Sequence, residues 1–205
     1  MSEAAISTLE GLRAHLQLAI QLEHAMLPPY HCALYSIVPG SDRESVEIIK
    51  SAFVEEMLHL ALTANVLNTI GRSHVIDDAQ FAAPYATSLP NRDHSFFVPR
   101  ARFAPATIQT FSRIEMPKDS EAPWEADGYE TTGQFYRAIE DGPIELCGRD
   151  GADAVLCGDL ARLVTPEMLN YNGSSRLVVE RDLSSTLEAI DEIAEQGEGL
   201  KHAEI

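Results

Sequence analysis

Glu56 and His59 stand three residues apart inside the run from Ser45 to Ile70. On a helix that spacing puts a carboxylate and an imidazole side by side, where both reach one ion. The run reads as helix because Val46, Ile49, Phe53, Leu60, Thr63 and Leu67 recur at intervals of three, four and seven. Glu56 and His59 take places on that stripe that should hold apolar side chains, whereas Glu55 is offset by one residue and flanks it. A lone Glu-x-x-His is most often a surface acid beside a helix-end histidine. The same unit also builds carboxylate-bridged di-metal helix bundles, so the other helices decide between the two.

An N-terminal helix is expected from about Ser7, an N-cap with Glu10 as its capping-box partner. Leu9, Leu12, Leu16, Ala19, Glu23 and Met26 share its stripe, so Glu23 faces the interior. Pro28-Pro29 should break or kink this helix, with an apolar pattern resuming from Tyr30 to Ile37. The second helix should begin after Ser41-Asp42 and stop at Gly71. The last starts near Ser184-Ser185 and runs through Leu187, Ile190, Ile193 and Ala194. Projected onward, Glu198 falls close to its interior stripe, with His202 one turn beyond and Glu195 well off it. Gly197 and Gly199 each cost a helix about 1 kcal/mol relative to Ala, which marks a close approach, a helix end or room for a ligand.

Two helices lie between. One opens at Pro105 and ends before Pro117, with Ile108, Phe111 and Glu115 on one face. Glu115 there points inward or is tied to the backbone or to Arg113. The other follows Thr131, with Phe135, Tyr136, Ile139 and Leu146 on one side, Glu140 towards the edge, and Gly142-Pro143 expected to distort it. Residues 72–103, including a short strand at Ser95–Val98, and residues 148–180 read as irregular inserts, and 117–130 as a polar linker packed down by Trp124.

Glu23, Glu56 with His59, and Glu198 with His202 thus face inward from three helices, and Glu115 or Glu140 offers a fourth carboxylate. Burying them without cations costs several kcal/mol each or forces protonation. Oxygen-rich sites with one or two imidazoles suit iron or manganese, as one or two ions, better than zinc. The expected architecture is all-α: a ferritin-like four-helix bundle, residues 1–205 as one domain, with a long crossover between its second and third helices.

The formal net charge of −17 and a pI near 4.6 exclude nucleic acid and anionic membrane surfaces as partners. No apolar run is long enough to span a bilayer, and Met1–Ala5 lacks the features of a secretory signal. Cys32, Cys147 and Cys157 show no pair spacing and read as reduced thiols of a cytoplasmic protein, Cys32 as a packed small hydrophobe. The expected partner is a small-molecule substrate, contacted by Tyr30, Tyr35 or Tyr136, and a homodimer is possible.

The stretch Leu18-Ala19-Ile20-Gln21-Leu22-Glu23-His24-Ala25-Met26-Leu27-Pro28-Pro29-Tyr30, followed by Ala33-Leu34-Tyr35-Ser36-Ile37, resembles the opening of the ferritin-like domain of iminophenyl-pyruvate dimer synthases. Glu55-Glu56-Met57-Leu58-His59-Leu60, with Asn65–Asn68 and Ile70-Gly71, is similar to that domain's second helix. The likeness continues through Leu89-Pro90, Phe111 to Pro117, Phe135–Ile139 and Glu195–Gly199. It implies Glu23, Glu56, His59 and Glu198 at a metal, and an enzyme of bacterial secondary metabolism acting on a small α-imino or α-keto acid. The dimer synthases are far longer, and after Gly199 they continue to a histidine and a further helix; here either His202 replaces that histidine or the ligand set is incomplete. The alternative is a non-catalytic scaffold that binds a partner enzyme or a small molecule.

Overall fold

In the computed structural model, which describes residues 6–78, 81–82, 85, 87–88, 97–114, 132–169 and 176–197, two long helices carry most of the framework. Helix α1 (Leu9–Tyr35) starts where the Thr8 hydroxyl accepts the Gly11 amide at 3.0 Å. Thr8, one residue after the expected Ser7, is therefore the N-cap. Helix α2 (Arg43–Thr69) starts at Asp42, whose carboxylate accepts the Ser45 amide at 3.0 Å. Its end is a Schellman turn. The Gly71 amide bonds to the Asn68 carbonyl and the Arg72 amide to the Leu67 carbonyl, with Gly71 at φ +77°. Arg13 of α1 adds two hydrogen bonds to the Ile70 carbonyl, at 3.0 and 2.7 Å, so a cation meets the negative end of α2.

Of the break or kink expected at Pro28-Pro29, the break does not occur: α1 continues to Tyr35. Pro29 has no amide hydrogen for the Ala25 carbonyl, four residues back. That carbonyl instead accepts the Tyr85 hydroxyl at 2.9 Å, and the Arg100 guanidinium lies 4.9 Å from the Tyr85 ring centre. A side chain from the crossover thus supplies the bond that the proline removes. The crossover also holds a two-residue antiparallel ladder, β1 (Thr87–Ser88) with β2 (Phe97–Val98), and leads into α3 (Pro105–Ile114). Phe111 of α3 packs on Tyr30 of α1, ring centres 4.3 Å apart.

Helix α4 (Thr132–Asp150) likewise runs through Gly142-Pro143 and reaches further than expected, so the second insert begins at residue 151. A side chain at Gly142 would lie 3.0 Å from Leu12, which is why the smallest residue lets α4 close on α1. After α5 (Ala152–Val155) and a 3-10 turn, α6 (Leu183–Gly197) begins where Asp182 accepts the Ser185 amide. Helix α1 packs along α2, α4 against α6 and α1, and α6 against α2. Leu12, Leu16 and Ile20, Leu58 and Leu62, Phe135, Ile139 and Leu146, and Ile190 and Ile193 fill the space between them. Each such side chain contributes about 1.5–3 kcal/mol when fully withdrawn from water. Among the described residues, no helix is long and apolar enough to cross a membrane. All three cysteines are free; Cys147 is buried, but Cys32 is exposed rather than packed, because its face of α1 turns outward.

Candidate metal centre

The buried stripe of α1 that holds Leu12, Leu16, Ala19 and Met26 also holds Glu23, only 5% exposed. Opposite, α2 turns Glu56 and His59 inward, at 8% and 5%. Helical period alone produces this placement, since i and i+3 project to one side of α2 and that side faces α1. One ligand atom from each of Glu23, Glu56 and His59 lies within 4.8 Å of the other two. Glu23 Oε2 is 3.6 Å from His59 Nδ1, and the Tyr136 hydroxyl of α4 donates to Glu23 Oε1. The Thr63 hydroxyl donates to the His59 carbonyl at 2.8 Å, one turn further along the same face.

The electrostatics follow from burial and contact. Burial pushes the Glu23 carboxyl up, but hydrogen bonding to His59 and the charge of His59, then hydrogen bonding with Glu56 and Tyr136, outweigh it and hold it below its ordinary value. The Tyr136 phenol is pushed well above its ordinary value by burial first and by the Glu23 carboxylate beside it second. It therefore stays protonated and acts as a donor. Two carboxylates and a neutral imidazole match a divalent cation in charge, leaving the buried group neutral once an ion is held. The oxygen-rich donor set fits iron or manganese, in keeping with the buried chemistry of the three residues.

Of the remaining expected ligands, Glu140 is the one among the described residues. Glu140 is half-buried on α4 with Asp191, Asp141 and Arg137 as its charged neighbours, and burial followed by the two aspartates raises its pKa. It does not join the cluster of Glu23, Glu56 and His59. Glu115, Glu198 and His202 lie outside the described residues. Of the tyrosines proposed to meet substrate, Tyr30 is in the core against Phe111 and Tyr35 is exposed at the end of α1. Tyr136 meets the site as the partner of Glu23. Its place on the inner stripe of α4 was visible in the sequence, but the identity of the carboxylate it meets was not.

A second buried acid carries its signal in the sequence as the end of an apolar run. Glu180 closes the apolar run Leu177-Val178-Val179 and is fully buried. Among the described residues neither of its oxygens has a hydrogen-bond partner. Asn65 of α2, close by, spends its own amide on both backbone groups of Val164, at 2.9 and 2.8 Å.

A model of the ferritin-like family matches residues 16–205. Among solved structures, a ferritin-like protein from Caulobacter vibrioides superposes with a TM-score of 0.71 at 24% identity. The match covers 94% of this chain and 69% of that one, and at such identity it speaks for the fold. No curated protein matches the chain.

Proposed function

The chain belongs to the ferritin-like family, and from that premise we propose that it is a metal-dependent enzyme holding iron or manganese among Glu23, Glu56 and His59. The observation that carries the reading is the meeting of two buried carboxylates and one imidazole within 4.8 Å across two helices. Ion pairing with each other does not compensate two like charges; a divalent cation does. Glu198, with His202 one turn on, is the proposed source of further ligands from the C-terminal end of the chain. A bound ion supplies Lewis-acid and one-electron redox chemistry at this position.

The protein's own residues set the site's geometry. His59 is fixed on α2 beside Glu56, and Glu23 reaches across from α1 with one oxygen towards His59 and the other held by Tyr136. The substrate class proposed is a small α-imino or α-keto acid of bacterial secondary metabolism. Its support is the likeness of the Leu18–Tyr30 and Glu55–Leu60 stretches to iminophenyl-pyruvate dimer synthases. The carboxylate of such a substrate, next to its imine or ketone, would suit the Lewis-acid chemistry of an ion that Glu23, Glu56 and His59 would hold.

The test is elemental analysis of protein purified from cells supplied with iron and manganese. About one or two ions per chain are expected, lost in Glu56→Ala and His59→Ala variants whose helicity is unchanged. Metal-free wild-type protein, with stability indifferent to a chelator, would overturn the reading. Consumption of α-keto and α-imino acids by the loaded protein, followed by mass spectrometry, tests the substrate class separately.

A further inference from the structure

Helix bundles that hold two ions take a carboxylate from each of two helices and a Glu-x-x-His unit from each of the other two. Here α1 gives Glu23 and α2 gives Glu56 with His59, so α4 should give the second single carboxylate. It carries four acids: Glu140, Asp141, Glu145 and Asp150. The last three are exposed, and Glu140 lies among Asp191, Asp141 and Arg137 rather than with the cluster. What α4 turns to Glu23 instead is the phenol of Tyr136, 4% exposed and hydrogen-bonded to Glu23 Oε1. Phe135 and Ile139, its neighbours on the inner face of α4, are also fully buried and offer no ligand.

We infer that Tyr136 stands in the place of that second single carboxylate and serves as a positioning residue for Glu23, so that the centre holds one ion and not two. The inference rests on the proposed metal site and deepens it. A phenol that donates to one carboxylate oxygen leaves the other, Oε2, as the oxygen on the His59 side. It therefore disfavours the bridging mode in which both oxygens of Glu23 bind metal. Thr63, two turns from Glu56 on α2, lies beside the same phenol and donates its hydroxyl to the His59 carbonyl.

Metal-free full-length protein is titrated with Co(II), whose visible bands report coordination geometry, and calorimetry gives the stoichiometry. Wild-type protein is expected to saturate at one equivalent. Tyr136→Phe removes only the hydroxyl. It should keep one equivalent, bind about tenfold or more weakly, as loss of a group that orients a ligand does, and shift the cobalt bands while its circular dichroism is unchanged. Saturation of wild type at two equivalents overturns the inference and leaves the metal site standing. So does a Tyr136→Phe variant with unchanged affinity and bands. Wild-type protein that takes up no cobalt, with spectra matching Glu56→Ala, removes the metal site and this inference together.

Discussion

Glu180 shows at the scale of one residue what burial does to a carboxyl with no cation beside it among the described residues. Its pKa is pushed from the usual 4.5 up to about 8, by burial first. Below about pH 4.5 the group is protonated in both folded and unfolded chains and costs nothing. Between there and about pH 8 the unfolded chain releases a proton that the folded chain keeps, so stability falls as pH rises. Above about pH 8 both states are ionised and the penalty, several kcal/mol, is constant. Glu180→Gln removes the titration. The variant should match wild type in urea at pH 4 and gain over it steadily towards pH 8; an offset that does not change with pH would contradict the assignment. Glu23 is the opposite case, buried yet held ionised by its neighbours.

At the scale of the element, the joints between helices and crossovers carry the sharpest consequences. The bond from Tyr85 to the Ala25 carbonyl exists because Pro29 cannot make it. Tyr85→Phe should therefore cost about 1 kcal/mol in the natural chain. In a Pro29→Ala background, where the amide of residue 29 can serve Ala25, the same change should cost clearly less. A double-mutant cycle that is additive would refute this account. The end of α2 is as tight. A Cβ on Gly158 would come within 1.8 Å of the Asn68 carbonyl oxygen, whereas one on Gly148 meets nothing within 4 Å. Gly158→Ala should lower the melting temperature strongly. Gly148→Ala, inside α4, should be neutral or raise stability by up to about 1 kcal/mol.

These joints mark the boundary of what the sequence conveys. Helical period places Glu23 on the inner face of α1 and Glu56 and His59 on that of α2, because a 3.6-residue repeat is a local property. The Asp42 cap and the Gly71 turn are local too, and both are visible in the chain. The continuity of α1 through Pro28-Pro29 is not, since it depends on a tyrosine about sixty positions away. The same holds for Tyr136 against Glu23, 113 residues apart, and for Glu180 beneath α2. Pairing across a fold is decided by packing, and a single sequence carries no periodic mark of it.

For the whole molecule, the bundle behaves as a frame that brings Glu23 of α1, Glu56 and His59 of α2 and Tyr136 of α4 to one buried point. Stability and site are then coupled. An ion that binds only the folded chain stabilises it by about 2.7 kcal/mol at a free concentration a hundred times its Kd, so the melting temperature should climb with added Mn(II) in wild type and stay flat in His59→Ala. The most direct measurement is anomalous diffraction at the iron and manganese edges from crystals of protein made in metal-replete cells. A peak within coordination distance of Glu23, Glu56 and His59 is the predicted result. A map with no peak there, and the three side chains bonded only to one another, would contradict it.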